Sequence, residues 1–276
     1  MGADGSAPRE IFSSENVTGK VSWSKDGKRI AFSRLGEVTI KYPDGGGGGH
    51  KCYDIFVTHI DSTKREFWWF ITDDLGSAYP EWSADDQLFI YHHDEAAIRA
   101  NAVMPEYRIW YRNWNGTVAK CLAPQNAAPG EYMGLQPTMS PDNQLVAYIH
   151  VSRVGGKPTD MRNIGLVIVS RSGITQTQAE LEAEARRFPD AGCPAFSPDG
   201  KSIAYINTSD FGIYLVAVDQ REKRKIFAPT GGFQPRPSAI TWSPDGKWLA
   251  FSGYDGNIYV VNSEGKDLKK NFIRGE

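Results

Sequence analysis

Short apolar segments recur along the chain, and each directly follows a polar turn. They read Ile30-Ala31-Phe32, Phe89-Ile90-Tyr91, Val146-Ala147-Tyr148, Ile203-Ala204-Tyr205 and Leu249-Ala250-Phe251. Consecutive apolar positions are typical of a strand that is covered on both faces, as in a sheet packed between two others. The small middle residue, Ala in four of the five copies, leaves room for close packing between sheets. We therefore predict five buried strands.

The turn in front of each apolar segment has a pattern of its own, with Ser followed two residues later by Asp. The copies are Ser24-Lys25-Asp26-Gly27, Ser83-Ala84-Asp85-Asp86, Ser140-Pro141-Asp142-Asn143, Ser197-Pro198-Asp199-Gly200 and Ser243-Pro244-Asp245-Gly246. Pro presets φ, the Asp side chain caps the turn, and Gly or Asn tolerates positive φ. The pattern predicts a tight hairpin between two strands, weakened where Lys25 and Ala84 replace Pro.

A third strand follows the apolar strand in every copy. It is recognised at Asp54-Ile55-Phe56, Arg108-Ile109-Trp110, Asn163-Ile164-Gly165, Gly212-Ile213-Tyr214 and Asn257-Ile258-Tyr259. Turn residues then lead to an outer fourth strand. Four strands per repeat predict an all-β chain, a β-propeller of four-stranded antiparallel blades. The repeats cover about 20–72, 79–124, 136–181, 193–229 and 239–273.

One segment departs from the strand pattern. Residues Gln178 to Arg187 are rich in Ala, Glu, Leu and Arg, which are good helix formers, and Pro189 bars continuation. We predict a short surface helix with a solvated, structural role, because its acidic residues precede Arg186 and Arg187 and so complement the helix dipole.

The repeat as a whole resembles a known family. Ser-Pro-Asp-Gly-Lys before an apolar strand, with Trp or Phe in front, is similar to the TolB-type, WD-like propeller repeat, and residues 196–201 and 242–247 match it best. The resemblance covers nearly the whole chain and implies one propeller domain over 9–276, in a protein that is periplasmic or secreted. The tryptophans of the repeat, Trp23, Trp82 and Trp242, are predicted to be core.

The number of blades depends on the first residues. Arg9-Glu10-Ile11-Phe12 is similar to the outer strand at 224–227, while residues 268–273 already complete the last repeat. This extra strand either closes the ring beside the last blade or indicates that the chain derives from a six-bladed propeller. We predict five blades, with six as the alternative, and a flexible leader over residues 1–8.

Composition excludes several classes of function. The 31 basic and 33 acidic residues nearly cancel, so no long-range field attracts nucleic acid, and no apolar run is long enough to span a bilayer. The cysteines Cys52, Cys121 and Cys193 are too few and too scattered for a disulfide framework. Neither a Gly-x-Ser-x-Gly elbow nor a phosphate-binding glycine motif is present, which argues against a serine hydrolase and nucleotide chemistry.

Polar residues concentrate where the second strands of the first three blades end. In a propeller these exits lie on one face around the central channel, the funnel face. Aligning the copies puts Arg34, His93 and His150 in one column, with His92, Asp94, Glu95 and Arg153 beside it. Imidazole and carboxylate suit a divalent metal such as Mn or Ca, and Arg pairs with carboxylate. His93 and His150 are the candidate metal ligands; the alternative is that each ring bonds to backbone.

The innermost strands supply a second set of candidates. Period-two alternation puts the side chains of Lys20, Tyr79, Gln136, Cys193 and Ala239 on the side of the channel, with Glu81 in the next row. Glu81 is the carboxylate of these rows and can act with Lys20. Because propeller channels commonly hold charged residues that do no chemistry, we favour a structural role for this pair.

Two functions remain. The first, which we favour, is a non-catalytic TolB-like propeller that binds a protein, peptide or glycan at the funnel face and for which the sequence identifies no definite cofactor. The second is a polysaccharide lyase resembling oligogalacturonate lyases, in which His93 and His150 hold the metal, Arg34 or Arg153 neutralises the uronate, and Lys20 or Glu81 is the base. Gln136 counts against the lyase, since the resemblance implies a His there. Exposed edge strands at the ends of the chain are compatible with an oligomer.

Overall fold

A computed structural model describes residues 17–41, 47–60, 67–69, 76–95, 106–113, 118–123, 132–153, 161–230 and 234–271. The predicted leader at 1–8 and the strand at Arg9–Phe12 lie outside the described residues. Within them the chain forms five antiparallel sheets in a propeller arrangement. The described part contains no helix that is both long and apolar enough to cross a membrane.

In every blade the strands follow one another in chain order from the centre outward. Blade one contains β1 (Val17–Trp23), β2 (Arg29–Lys41), β3 (Gly47–His59) and β4 (Phe67–Trp69). Blade two contains β5 (Ser77–Trp82), β6 (Leu88–Asp94), β7 (Tyr107–Asn113) and β8 (Ala119–Cys121). Blade three contains β9 (Met133–Met139), β10 (Leu145–Arg153) and β11 (Met161–Ser170), followed by the helix α1 (Gln178–Ala185).

The remaining two blades have four strands each. Blade four contains β12 (Ala191–Phe196), β13 (Ser202–Asn207), β14 (Ile213–Ala217) and β15 (Lys223–Phe227). Blade five contains β16 (Pro235–Trp242), β17 (Trp248–Gly253), β18 (Ile258–Asn262) and β19 (Lys269–Asn271). The innermost strands β1, β5, β9, β12 and β16 contact one another in turn, and β16 contacts β1. The prediction of a five-bladed all-β propeller is confirmed.

The hairpin turns adopt one hydrogen-bond pattern in all five blades. Each Ser hydroxyl donates to the Asp two residues later at 2.5–2.6 Å, and accepts from the backbone amide five residues later at 2.8–3.0 Å. The fourth residue of the turn has φ near +60°, as at Asp86 and Gly246. The Ser–Asp pair therefore closes the turn whether or not Pro is present, which is why Lys25 and Ala84 are tolerated.

Blade three differs from the prediction of four strands per blade. Its sheet has three strands, and α1 occupies the outer edge of β11. The backbone amide of Ile168 donates to the carboxylate of Glu184, and that of Leu166 to the carbonyl of Phe188. Leu181 and Ala185 are fully buried against the sheet. The helix was correctly predicted, and Ala179, Glu180 and Ala183 are exposed at the surface as expected, but the helix also takes the place of the predicted fourth strand.

The core consists of apolar layers between neighbouring blades. One layer joins Ala31 and Val57 of blade one to Trp82 and Phe89 of blade two, and similar layers lie between blades two and three, three and four, and four and five. The Ala predicted in the middle of the second strand is buried at Ala31, Ala147 and Ala204. The layered core confirms that the second strands of blades one to four are covered on both faces, whereas in blade five Ala250 is only partly buried.

The meeting of blades five and one is more open. Among the described residues no apolar cluster joins these two blades, and the side chain of Trp23 is 55% exposed. Trp82, at the same position of the repeat, is 5% exposed because blade one covers it. The prediction that Trp23 is a core residue is therefore wrong, since membership of the repeat buries a side chain only where a neighbouring blade covers it.

Candidate functional site

The innermost strands share a bulge that shapes the centre of the propeller. Each inner strand shifts register against its neighbour, and the bulged residues Tyr79, Gln136 and Cys193 have φ of 57°, 53° and 50°. A β-bulge re-aims a side chain. With Lys20 and Ala239, these residues line a cavity of about 10 Å³. The structure thus brings together the five residues that alternation placed on the channel.

This central cavity is too small for an organic ligand. A volume of about 10 Å³ is comparable to the space that one water molecule needs. The Cys193 thiol, at the cavity wall, is buried, and burial raises its pKa to about 12, so it is protonated near neutral pH. An organic ligand therefore does not fit inside this cavity.

Glu81 connects three blades. It forms an ion pair with Lys20 of blade one, and its Oε1 accepts hydrogen bonds from the Thr138 hydroxyl at 2.9 Å and the Met139 amide at 2.8 Å. The side chains of Lys20 and Glu81 are each only 15% exposed. Both candidates for a catalytic base are thus engaged with each other, and the carboxylate also fixes blade three to blade two.

A second chain of contacts runs above Glu81, from blade one to blade four. The backbone amide of Tyr79 donates to the Ser33 hydroxyl at 2.9 Å, and the backbone amide of Gln136 donates to Nδ1 of His92 at 3.2 Å. The side-chain oxygen of Gln136 accepts from the Cys193 amide at 2.8 Å. These bonds satisfy the amides that the bulges remove from the strand ladder. Gln136 and His92 therefore hold the blades in register.

His92 belongs to an aromatic cluster at the mouth of the channel. Its ring centroid lies 5.2 Å from that of Tyr79 and 5.5 Å from that of Tyr107, the latter edge-on. Burial, aided by the nearby His93, lowers the pKa of His92 to about 3, so the ring is neutral near neutral pH. Its Nδ1 can therefore accept a hydrogen bond from the backbone amide of Gln136. Burial also raises the pKa of Tyr79 and Tyr107, which keeps both hydroxyls protonated.

The two candidate metal ligands each bond within their own blade. His93 is buried, and its Nδ1 lies 3.1 Å from the Ser77 hydroxyl. His150 is fully buried, and its Nε2 lies 3.3 Å from the side-chain nitrogen of Gln178 on α1. Burial lowers the pKa of His150 to about 4. Within the described ranges no group of three or more His, Cys, Asp or Glu side chains is placed to hold a metal ion.

The remaining sequence candidates are spread around the funnel face. Asp94 accepts a hydrogen bond from the Glu106 amide at 2.7 Å, and Glu95 pairs with Arg108 at 3.3 Å, so both carboxylates hold the ends of the loop between β6 and β7. Arg34 is exposed, with its guanidinium 5.8 Å from the ring centre of Phe56. The side chain of Arg153 lies outside the described part of the chain.

Three residues near the mouth were missed by sequence reasoning. Tyr107 begins β7, Tyr53 is 40% exposed on β3, and Arg236 lies at the start of β16. Tyr53 and Arg236 are close enough to Tyr79 to influence its pKa. For Tyr107 a signal was present in the sequence, because this residue enters the third strand directly after a funnel loop and pairs with Asp94, next to the exit column that the alignment had already identified.

The fold has counterparts among solved structures, whereas no protein-family model matches the chain. A protein described as putative TolB from Agrobacterium tumefaciens is 15% identical, with a TM-score of 0.62, over 95% of this chain and 83% of its own. An oligogalacturonate lyase in complex with manganese is 16% identical, with a TM-score of 0.55, over 92% of this chain and 65% of its own. The tricorn protease aligns at 11% identity and a TM-score of 0.54, over 92% of this chain and 26% of its own. At such identities the matches show the fold alone, which is that of the TolB-like propellers.

Proposed function

We propose that this protein is a binding scaffold that captures a peptide, protein or glycan at its funnel face. The observation that carries the proposal is the aromatic cluster at the mouth of the channel, formed by Tyr79, His92 and Tyr107, with Tyr53 close enough to influence the pKa of both tyrosines. Tyrosine rings supply rigid contact area at low entropic cost, and their hydroxyls add hydrogen bonds to a ligand.

The setting of the cluster supports recognition rather than catalysis. Lys20 and Glu81, the groups with the chemistry of a base, are paired with each other at the channel and bridge three blades. The cavity below the mouth, lined by Lys20, Gln136 and Cys193, has room for about one water molecule. A ligand would therefore lie across the tyrosines, and Arg236 beside Tyr79 adds a positive charge for an acidic group on that ligand.

The proposal is tested by screening the purified protein on peptide and glycan arrays and then measuring the affinity of the hits. Tyr53→Ala and Tyr107→Ala are expected to weaken binding roughly tenfold or more, since aromatic anchors carry most of the energy of such contacts. Trp23→Ala is the matched control, because Trp23 is 55% exposed at the end of β1 beside the Ser–Asp turn, on the face opposite the funnel. If the three variants weaken binding equally, or none does, the mouth is not the site.

A metal-assisted polysaccharide lyase is the second candidate, favoured by the fold shared with the manganese-bound oligogalacturonate lyase. It requires that His93 and His150 hold Mn or Ca with ligands beyond those two. Elemental analysis, titration of Mn and Ca, and an assay for unsaturated products from polygalacturonate test it, with His93→Ala and His150→Ala as variants. One equivalent of metal that both variants lose would favour the lyase; binding that survives both substitutions would count against it.

The location of the protein is part of the same proposal. A binding propeller of the TolB type implies a periplasmic or secreted protein, where peptide and glycan ligands are available. Cell fractionation with antibodies against the native protein tests this: recovery with periplasmic or extracellular markers is expected, and recovery with cytoplasmic markers would contradict it.

A further inference from the structure

A second opening lies on the face of the propeller opposite the funnel. It is a cavity of about 450 Å³ between blades four and five, at the end where the Ser–Asp turns are. Its wall includes Trp242, Leu215, Ser202, Asp199 and Asp245. A cavity of this size is in the range that binds small molecules or a side chain of a partner. None of the funnel-face candidates lines it, so it needs an explanation of its own.

The equivalent position between blades one and two is filled by a guanidinium group. The Arg29 guanidinium carbon lies 4.8 Å from the centre of the Trp82 ring. An Arg29 nitrogen is also 3.6 Å from a carboxylate oxygen of Asp26 and 3.6 Å from one of Asp86. A cation over an indole face with carboxylates at its edge is a favourable arrangement, since both attract positive charge.

The repeat identifies the counterparts of these residues at the cavity. Ser202 takes the position of Arg29, five residues after the Ser of its turn, and Trp242 takes that of Trp82. Gly246 replaces Asp86, and Asp199 retains the position of Asp26. The aromatic ring and one carboxylate are thus kept, whereas the guanidinium is missing. Between blades three and four the same position is filled by Leu145, which packs in one cluster with Phe196.

The groups around the cavity are held in place by the fold. The indole nitrogen of Trp242 donates to the Ala195 carbonyl at 3.0 Å, which fixes the ring at the wall. Oδ1 of Asp199 accepts from the Ser197 hydroxyl at 2.6 Å and the Lys201 amide at 3.0 Å, and these bonds hold the pKa of Asp199 below its usual range. The carboxylate is therefore ionised and oriented before any ligand arrives.

Three cations limit what the cavity accepts. Arg224 lines it, with its guanidinium donating to the Ser263 carbonyl at 3.0 Å. Lys247 lies 3.7 Å from Asp245, and Lys201 is close enough to lower the pKa of Asp199. A ligand that carries several positive charges close together would be repelled by these cations. A flat, singly charged cation that can stack on Trp242 fits best, because guanidinium spreads its charge and is weakly hydrated.

We propose that the cavity between blades four and five binds a guanidinium group, placed over Trp242 and paired with Asp199, as Arg29 is placed within the chain over Trp82. The group belongs either to an arginine side chain of a peptide or to a free guanidino compound. This proposal is independent of the function assigned to the funnel face.

The test follows the indole NH signals of the eight tryptophans by NMR, with the Trp242 signal assigned from Trp242→Phe. N-acetyl-arginine amide is titrated into the full chain, and N-acetyl-citrulline amide, which has the same shape without the charge, is the control ligand. We expect the arginine probe to shift the Trp242 signal in a saturable way and the citrulline probe to leave it unchanged. Agmatine and free arginine, titrated in parallel, distinguish a free guanidino compound from an arginine in a peptide.

Two variants decide the outcome, each with its folding checked by thermal unfolding. Ser202→Arg supplies the missing guanidinium within the chain and is expected to abolish binding of the arginine probe. Asp199→Asn should weaken binding roughly tenfold, the loss expected for a charge-assisted partner. Asp142→Asn changes the same turn position in blade three and is expected to bind the probe normally. The proposal is overturned if both probes bind equally, if neither shifts Trp242, or if Asp199→Asn and Asp142→Asn behave alike.

Discussion

At the scale of single residues, most polar side chains at the centre of the propeller join one blade to the next. Glu81 forms an ion pair with Lys20 of blade one and accepts a hydrogen bond from Thr138 of blade three, and His92 accepts a hydrogen bond from the backbone amide of Gln136. Sequence alternation predicted which side these residues face. It could not predict their partners, because the bulges that bring the amides of Gln136 and Cys193 towards neighbouring blades depend on how adjacent sheets pack.

Removing the Glu81 carboxylate should destabilise the protein. Glu81→Gln leaves the Lys20 ammonium mostly buried without its counter-ion, and we expect a loss of roughly 2–4 kcal/mol in the free energy of unfolding. Urea unfolding measures this loss. Glu264→Gln, which breaks the exposed pair with Lys266, is the control and is expected to leave the midpoint unchanged. Equal midpoints for Glu81→Gln and the unsubstituted protein would show that the pair does not connect the blades.

Two buried histidines predict that stability falls in acid. Their pKa values are lowered in the folded protein, to about 3 for His92 and about 4 for His150, while the unfolded chain titrates near 6.5. The stabilisation is thus present above pH 6.5 and is lost as pH falls towards the folded-state pKa. At about pH 5 each histidine should lower the free energy of unfolding by roughly 2 kcal/mol relative to pH 8.

Variants assign this acid sensitivity to individual rings. His92→Asn keeps an acceptor for the Gln136 amide but has no proton to gain, so its unfolding free energy should fall less between pH 8 and pH 5. Thermal unfolding at the two pH values measures the difference. An unchanged pH dependence in His92→Asn would mean that the His92 ring is protonated in the folded state, which would contradict the neutral ring inferred from its burial.

At the scale of elements, the hairpins and second strands were readable because each is set by local chemistry. The Ser–Asp turn closes on itself, and three apolar residues in a row need cover on both faces. The helix α1 could also be predicted from local sequence, and Thr177 and Glu180 form a capping box at its start. Its place at the edge of β11 was not readable, since it depends on Leu181 and Ala185 fitting against blade three.

The helix should behave as the outer element of blade three. Leu181→Ala removes a fully buried side chain, and we expect a loss of about 2–5 kcal/mol together with faster exchange of the Leu166 and Ile168 amides. Hydrogen exchange and urea unfolding measure the two effects. Ala183→Ser, on the same helix but outside its buried positions, is the control. Protected amides in Leu181→Ala would show that β11 does not depend on the helix.

At the scale of the whole molecule, repetition both reveals the fold and hides the differences between blades. The repeat predicted five blades correctly, but it also placed Trp23 in the core, where the meeting of blades five and one leaves it exposed. The tyrosines at the channel mouth come from the third strands and inner strands of different blades, so no single copy of the repeat contains the candidate site. Departures from the repeat, such as Ser202 in place of Arg29, indicate where ligands are to be sought.

The central claim is that ligands bind across the mouth of the channel. Hydrogen exchange of the full chain, with and without the tightest array hit, tests it most directly. We expect slower exchange around Tyr53 in β3, Tyr79 in β5 and Tyr107 in β7, and no change at the Ser–Asp turns on the opposite face. Protection confined to the turns or to the outer strands, with the mouth unchanged, would contradict the claim.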